Sequence, residues 1–229
     1  MTGEVWSGPV VVTGTDTGVG KTVVTAAIAA AAMRAGRTVG VVKPAQTGDE
    51  SDVDSVRCLA GPAMAVALAS FPDPLAPLAA ARVAGLPPLR LNDVVAAVDR
   101  IPGDVVLVEG AGGLLVSLGD GWTVADLAAA LDAPVVVVAR AGLGTLNHTA
   151  LTLEALQRRG LRARVVIGAW PSRPELVHLA NLTDLAGELA GAVPENASTR
   201  ADFRTAAPDW LSPGLYGRFD AGAFRAQGC

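Results

Sequence analysis

The sequence is poor in several residue types and patterns, and each shortage excludes a class of protein. It contains two cysteines, Cys58 and Cys229, too few for a disulfide framework or a thiolate metal cage. Cys58 lies in an apolar, helix-like segment, and we expect it in the core. The longest apolar run, Val23–Met33, is shorter than the roughly 18 residues that span a bilayer. We therefore expect neither a disulfide-stapled protein nor a membrane protein.

The charge and the histidine content exclude further classes of protein and of site. The two histidines, His148 and His178, lie far apart and away from both cysteines, so no zinc site is expected. A net charge of −4 argues against nucleic-acid binding, because a phosphate backbone selects for a basic excess. The residues before Lys21 include Glu4 but no Lys or Arg, so the basic region of a secretory signal is missing. We expect a cytoplasmic protein.

Lysine is scarce as well. Of the 18 basic residues, 16 are arginines, and only Lys21 and Lys43 are lysines. A GC-rich genome, whose codons favour Arg and Ala, explains the arginine excess but not the positions of the two lysines. A compact ammonium acts on phosphate as a point charge, which a planar guanidinium does not. The two lysines are therefore candidate phosphate ligands.

Apolar residues are plentiful: 51% of the 229 residues are hydrophobic and 17% are charged, which fits one domain over residues 1–229. The β-branched run Pro9–Val12 predicts a strand that leads into a glycine-rich loop. The alanine-rich segment Val23–Ala35, ended by Gly36, predicts a helix, and Thr38–Val42 predicts a second buried strand. This order is the crossover that builds a parallel sheet.

The same pattern repeats downstream. Continuous apolar runs predict strands buried on both faces at Val105–Val108, Pro134–Ala139 and Arg164–Ala169. Helices are predicted over Val94–Arg100, capped by Asn92 and Asp93, over Leu127–Leu131 after a capping box at Thr123–Asp126, and over Asn147–Arg159. The fold class is α/β: a single-domain, doubly wound, mostly parallel sheet. We expect loops and short helices over residues 44–88 and a covering tail after Pro194.

The strongest motif is the glycine-rich loop Gly14–Thr22, which follows a strand and opens a helix, as a phosphate cradle requires. In this interpretation Lys21 reaches the β/γ-phosphates and the Thr22 hydroxyl ligates magnesium. Five residues, not the usual four, separate Gly14 from Gly20. A dinucleotide fingerprint is less consistent, because Gly18-Val19-Gly20 lacks its third glycine.

Two further motifs follow predicted strands. Lys43 lies where the second strand leaves the sheet, and we favour a second phosphate contact over a solvated surface charge. Glu109 follows a buried strand and precedes three glycines, so its carboxylate needs compensation that magnesium would supply. A residue of the acidic stretch 49–54 could complete the metal shell. The loop before Asn147 opens another helix and could bind a carboxylate.

Together, four motifs resemble those of the dethiobiotin synthetase family. They are Gly14–Thr22, Lys43–Gly48, Val108–Gly113 and Leu143–His148. The resemblance implies a P-loop NTPase-like fold and a homodimer. It also implies ATP- and Mg²⁺-dependent ring closure of 7,8-diaminopelargonic acid with CO2 or bicarbonate, through a carbamate and a carbamic-phosphoric anhydride.

The resemblance also implies roles for individual residues. Lys21 and Lys43 would neutralise the γ-phosphate and the carbamate, and Thr47 would contact the diamine. Thr22, Asp52 and Glu109 would hold magnesium. Nucleotide contacts would come from Thr17, Gly18, Val19, Gly20, Lys21, Thr22, Glu109, Gly112, Gly168 and Pro194. Gly112 would also contact the substrate. The carboxylate of the substrate would be bound by residues of the other subunit, namely Leu143, Gly144, Thr145, Leu146 and Asn147.

One segment departs from the family pattern. Many members carry an Asn-Asp pair after the strand that corresponds to Arg164–Ala169, and its Asn reads adenine, whereas this chain has Ile167–Pro171 there. We therefore expect other nucleoside triphosphates to replace ATP. The alternative functions are a P-loop switch or partitioning ATPase, whose signature lysine position is occupied by Asp16, and a related amidoligase, which usually has a glutaminase domain.

Overall fold

The computed structural model describes residues 4–226 and is built around one seven-stranded parallel sheet. The strands are β1 (Gly8–Gly14), β2 (Val39–Thr47), β3 (Met64–Phe71), β4 (Val105–Gly113), β5 (Ser117–Gly119), β6 (Trp122–Thr123), β7 (Val135–Ala139), β8 (Ala163–Trp170) and β9 (Leu189–Pro194). The sheet order is β3-β2-β4-β1-β7-β8-β9, and β5 and β6 form a separate antiparallel pair. The predicted fold class is confirmed.

Helices cover both faces of this sheet. They are α1 (Lys21–Arg34), α2 (Asp52–Leu59), α3 (Pro77–Val83), α4 (Leu91–Val98), α5 (Val124–Ala130), α6 (Thr145–Gln157), α7 (Leu176–Asp184), α8 (Phe203–Ala206) and α9 (Ala221–Arg225). Because successive strand residues point to opposite faces, Val10 and Val12 join the core that contains α1, while Val11 joins the core that contains α4 and α5. No helix of residues 4–226 is long and apolar enough to cross a membrane.

The second strand is longer than predicted. β2 continues past Val42 to Thr47, because its outer half pairs with β3. Its register with β4 covers only Val39–Val42, so Pro44 lies where β2 has a strand partner on one side only, and there a proline is tolerated. Lys43 is therefore inside the strand and not at its end.

The expectation of only loops and short helices over residues 44–88 was wrong. This segment supplies the edge strand β3, whose sequence Met64–Phe71 is rich in alanine and gives a weak strand signal. The placement of Cys58 in the core was also wrong, since its side chain is exposed on α2. In this helix Val53 and Val56 form the buried face instead.

Predicted helix ends agree in one case and differ in others. The capping box is confirmed, with the Thr123 N–H 2.8 Å from Asp126 Oδ2. By contrast, α4 begins after Arg90 without a side-chain cap, so the caps predicted at Asn92 and Asp93 were wrong. At the far edge, β9 is an additional strand that the sequence pattern did not indicate.

The segment after Pro194 covers α1, as expected for a tail. Phe203, Trp210, Leu211 and Leu215 share one buried cluster with the alanines of α1. A bridge between Leu211 and Gly191 of β9 ties this segment to the sheet. The alanine-rich helix is consequently buried on nearly every side.

Candidate active site

The loop between β1 and α1 has the backbone shape of an anion cradle. Gly18 and Gly20 have φ values of +71° and +96°, which side chains other than glycine rarely adopt. The first turn of α1 has no side-chain cap and no acidic residue, so its free N–H groups and the positive end of the helix dipole face the loop. This end of α1 is suited to bind phosphate.

Strand β8 supports this loop from behind. A Cβ atom on Gly168 would lie 2.0 Å from the Val19 carbonyl oxygen, and one on Gly20 would lie 2.8 Å from the Gly168 carbonyl oxygen. Two glycines are therefore required for the loop to pack directly on β8. Gly168 lies against the loop backbone, which is a structural reason for a glycine at this position.

Lys21, the first residue of α1, folds back over the loop. Its Nζ donates to the Asp16 carbonyl oxygen at 3.0 Å, and the residue is only 7% exposed. Burial lowers the pKa of the Lys21 ammonium below its ordinary value, and the charge of Lys43 adds to this effect. An anion bound in the loop would stabilise the charged form of both lysines.

Next to Lys21, the hydroxyl of Thr22 faces two carboxylates. Thr22 Oγ1 lies 2.8 Å from Asp52 Oδ1 and 2.9 Å from Glu109 Oε1. A hydroxyl has one proton and can donate to only one of these oxygens at a time. Three oxygens therefore converge, and this donor set fits a magnesium ion, which typically takes one or two carboxylates together with phosphate oxygens and water.

The second lysine neutralises the same carboxylates. Lys43 Nζ lies 2.6 Å from Asp52 Oδ2, 2.9 Å from Glu109 Oε1 and 3.0 Å from the Gly110 carbonyl oxygen, so all three of its protons have acceptors. Lys43 is 4% exposed and Glu109 is 1% exposed. The alternative of a solvated surface charge for Lys43 was therefore wrong, and in the protein alone Lys43 already compensates the buried Glu109.

Electrostatic coupling within this cluster is strong. Burial alone would lower the pKa of Lys43, but Glu109 and Asp52 outweigh it and hold the pKa above its ordinary value. Burial would likewise raise the pKa of Asp52, but Lys43 and Thr22 hold that pKa below its ordinary value. Lys43 and Asp52 thus hold each other in the charged form on the floor of a cleft.

Local structure fixes Asp52 in this cluster. The Ser51 hydroxyl accepts the N–H of Asp54 and caps α2, while the Gln46 side-chain oxygen accepts the N–H of Asp52 at 3.0 Å. Asp54 instead points to solvent and pairs with Arg57 at 2.7 Å. Of the acidic stretch 49–54, Asp52 is therefore the residue that reaches Thr22.

A cleft of about 590 Å³ opens above these charges. The predicted residues that line it are Thr17, Gly18, Gly20, Lys21, Thr22, Lys43, Thr47, Asp52, Glu109 and Gly112. Those that do not are Val19, Gly168, Pro194 and the loop from Leu143 to Asn147. Additional lining residues that the sequence analysis did not select are Val23, Ala45, Gln46, Glu50, Pro74, Leu75, Ala76, Pro77, Ala111 and Val116.

Some of these additional lining residues could have been found from the sequence, and others could not. Gln46 lies inside a selected motif and could have been found from its place between Lys43 and Thr47. The loop Pro74–Pro77 carries no chemical motif, and it reaches the cleft only because β3 ends beside β2. Without knowledge of β3, nothing in the sequence indicates that contact.

The loop from Leu143 to Asn147 stands apart from the cleft of its own chain. Leu143 is 85% exposed, and Gly144 has a φ of +91°. Like α1, α6 begins without a side-chain cap or an acidic residue in its first turn, although it begins at Thr145 and not at Asn147 as predicted. The start of α6 is thus uncapped and lies outside the cleft of its own chain.

The segment Ile167–Pro171, where many family members carry an Asn-Asp pair, forms the end of β8 and the residue after it. Ala169 is exposed, and the ring of Trp170 packs edge-on against Phe224, with 5.1 Å between ring centroids. The Trp170 carbonyl accepts the N–H of Glu195 at 2.9 Å, which joins β8 to the residue after Pro194. Residues 168–171 contribute no side-chain amide.

A family model and several named proteins match most of this chain in sequence. A family model for an AAA domain (AAA_26) matches residues 9–202. The ATP-dependent dethiobiotin synthetase BioD of Streptomyces coelicolor is 54% identical over 93% of this chain and 96% of its own. The protein of the same name from Rhodococcus jostii is 54% identical over 88% of this chain and 93% of its own.

Solved structures share the fold at low sequence identity. The MinD septum site-determining protein of Pyrococcus horikoshii in complex with Mg-ADP has a TM-score of 0.53 at 17% identity, over 96% of this chain and 93% of that chain. The MinC:MinD complex of Aquifex aeolicus has a TM-score of 0.53 at 14% identity, over 97% of this chain and 96% of that chain. These likenesses show a P-loop NTPase fold.

Proposed function

The chain belongs to the dethiobiotin synthetase family, a family of ATP-dependent ligases, and we propose that it closes the ureido ring of dethiobiotin. The substrates in this proposal are 7,8-diaminopelargonic acid, CO2 or bicarbonate, and a nucleoside triphosphate. Identity of 53% over 93% of the chain supports the family's reaction for this protein. A cytoplasmic location, expected from the sequence, stays a prediction.

The observation that carries the proposal is the cluster of buried Lys43 and Glu109 with half-buried Thr22 and Asp52 beside a phosphate-binding loop. Ring closure with a carbamate requires positive charge near two anions, the γ-phosphate and the carbamate. The two lysines of this chain both line the cleft. The protein needs only to position the reactants and neutralise charge.

The reaction proceeds in two bond-forming stages. One substrate amine takes up CO2 and loses a proton to become a carbamate, whose oxygen attacks the γ-phosphorus and releases the nucleoside diphosphate. The second amine then attacks the carbonyl carbon of the mixed anhydride, which closes the ring and releases phosphate. Lys21 would hold the γ-phosphate, Lys43 would hold the carbamate, and Thr47 would orient the diamine.

Thr22, Asp52 and Glu109 would hold the magnesium ion, which supplies charge neutralisation to the β- and γ-phosphates when bound. Thr17, Gly18, Val19 and Gly20 would bind the phosphates by their backbone, and Gly112 approaches them from the end of β4. Gly112 has a positive φ of +64°, and a Cβ atom on it would lie 3.0 Å from the Val116 side chain, so a side chain there would be strained. Gly168 and Pro194 are proposed to face the base.

The substrate carboxylate is proposed to bind at the uncapped start of α6 in a second subunit. The loop from Leu143 to Asn147 does not reach the cleft of its own chain, which supports this arrangement. A homodimer would bring the loop of one protomer to the cleft of its partner. The exposed Leu143 would then be covered on association.

The test is a phosphate-release assay with and without diaminopelargonic acid and bicarbonate. We expect release to need both, and ¹³C-bicarbonate to place its label in the ureido carbonyl of dethiobiotin, detected by mass spectrometry. The matched blank lacks only the diamine. Release that does not respond to the diamine would instead favour the switch or partitioning ATPase.

A further inference from the structure

Within residues 4–226, one ion pair joins the exposed tip of the phosphate-binding loop, Asp16–Gly18, to the rest of the chain. Asp16 Oδ2 lies 3.0 Å from an Arg140 guanidinium nitrogen, and Asp16 Oδ1 accepts the Thr17 N–H at 2.7 Å. Arg140 directly follows β7. The ion pair therefore joins the loop tip to the carboxyl end of a neighbouring strand.

Backbone hydrogen bonds to the sheet end at Thr15, although Val19 and Gly20 pack on Gly168 of β8 farther along the loop. The Thr15 N–H donates to the Val138 carbonyl at 2.9 Å, and within residues 4–226 no backbone hydrogen bond joins residues 16–19 to the sheet. Asp16, Thr17 and Gly18 are all exposed. The tip has to keep its shape to bind phosphate, because cradling an anion requires several N–H groups pointing at the same place.

Asp16 also holds the catalytic lysine by its main chain. Lys21 Nζ donates to the Asp16 carbonyl at 3.0 Å, so the direction of this carbonyl sets the resting position of the ammonium. The Asp16 side chain, fixed by Arg140 and by the Thr17 N–H, restrains the peptide that carries that carbonyl. One residue thus links Arg140 to Lys21.

We propose that Arg140 is a positioning residue for nucleotide binding, which acts through Asp16 to hold the tip of the phosphate-binding loop and the resting place of Lys21. This inference rests on the nucleotide-binding part of the proposed function and not on ring closure. An exposed ion pair contributes little to global stability, since such pairs are worth about 0–1 kcal/mol. Its effect should therefore appear in nucleotide affinity and not in the melting temperature.

The test measures dissociation constants for ATP and ADP by calorimetry on the full chain. Arg140→Met removes the ion pair, and Asp16→Asn removes it while keeping an acceptor for the Thr17 N–H. We expect each to weaken nucleotide binding about fivefold, the upper end of an exposed ion pair. Arg140→Lys should recover most of the affinity, because an ammonium can still reach the carboxylate.

The control is Arg158→Met, which removes the same charge from another exposed pair, Arg158 with Glu154. We expect Arg158→Met to bind nucleotide as the unmodified protein does. Arg158→Met and Arg140→Met should melt at the same temperature. In steady-state assays Arg140→Met should raise the KM for ATP and leave the KM for the diamine unchanged.

A double variant decides whether the two residues act as one unit. If they do, Asp16→Asn combined with Arg140→Met should weaken binding about fivefold, not the roughly 25-fold expected for independent effects. Multiplied effects, or unchanged affinity in Arg140→Met, would overturn the inference. A change confined to the KM for the diamine would also overturn the inference. Because binding needs only nucleotide, these results stand even if no ring closure is found.

Discussion

The floor and the rim of the cleft are built differently. On the floor, Lys43 and Glu109 are 4% and 1% exposed and are joined to Asp52 and Thr22 by short contacts. By the rim we mean the parts proposed to face a partner's cleft or the base, which are the loop Leu143–Asn147 and residues 168–171. In this loop Leu143 is 85% exposed, and the loop does not line the cleft of its own chain. The charged floor is complete within one chain, whereas the rim gains its proposed contacts only from a partner subunit and a nucleotide.

The difference has an energetic basis. Buried charges have to be paired, because an unpaired one costs several kcal/mol, so the floor residues constrain one another strongly. Exposed loops have no such requirement and are free to vary with ligand and partner. Substitutions on the floor should therefore have larger effects than substitutions on the rim.

The largest effect is expected from exchanging either lysine of the floor. We predict that Lys43→Arg and Lys21→Arg each lose most ring-closing activity although the charge is kept, because the larger planar guanidinium cannot place a point charge in the same buried position. Dethiobiotin formation under saturating substrates measures this. Arg158→Lys, a surface exchange in the opposite direction, should be neutral. Near-normal turnover of Lys43→Arg would remove Lys43 from its proposed role.

Complementation between inactive variants tests whether the rim belongs to a partner. We combine Lys43→Arg with Gly144→Asp, which adds a carboxylate where the substrate carboxylate is proposed to bind. If the loop serves the other subunit, an equal mixture that exchanges subunits recovers about a quarter of normal activity, since half of the dimers contain one intact site. A loop that serves its own cleft would give no recovery.

A smaller and more selective effect is expected at Glu109. Glu109→Gln should shift the magnesium dependence of the reaction to higher concentration more than it weakens nucleotide binding, because the loop backbone still holds the phosphates. A magnesium titration at fixed ATP, with a parallel binding measurement, separates the two. Asp54→Asn is the control, since Asp54 faces solvent beside Arg57. An unchanged titration in Glu109→Gln would contradict a role as magnesium ligand.

Strong local signals allowed much of the floor to be predicted. Gly14–Thr22 joins a strand to a helix as expected. Local signals left the choice within the acidic stretch 49–54 open, and the family resemblance pointed to Asp52, which reaches Thr22. The pairing of Lys43 with Glu109 was not predicted, because it depends on β2 and β4 lying side by side. Sequence patterns locate strands but not the partners across a sheet.

Weaker signals explain the errors. The edge strand β3 is rich in alanine, and the strand β9 lies at the opposite edge of the sheet. Each of these two strands contains a single β-branched residue, which weakens the strand signal in the sequence. The exposed position of Cys58 follows from the burial of Val53 and Val56 on the opposite face of a short helix. Such details are set by tertiary packing.

The smallest expected effect concerns the base at the rim. Discrimination among bases requires polar groups that are left unpaired by the wrong base. Gly168 is packed against the phosphate-binding loop, Ala169 has no polar side chain, and the Trp170 carbonyl is already bonded to Glu195. We predict that CTP, GTP or UTP supports turnover within about tenfold of ATP, a difference of roughly 1.4 kcal/mol. The measurement is kcat/KM for the four triphosphates under identical conditions.

The variant Asn196→Ala tests where adenine would be read if ATP were preferred, because Asn196 is an exposed amide two residues after Pro194. A thousandfold preference for ATP that disappears in this variant would show that adenine is read by the segment after β9 and not by β8.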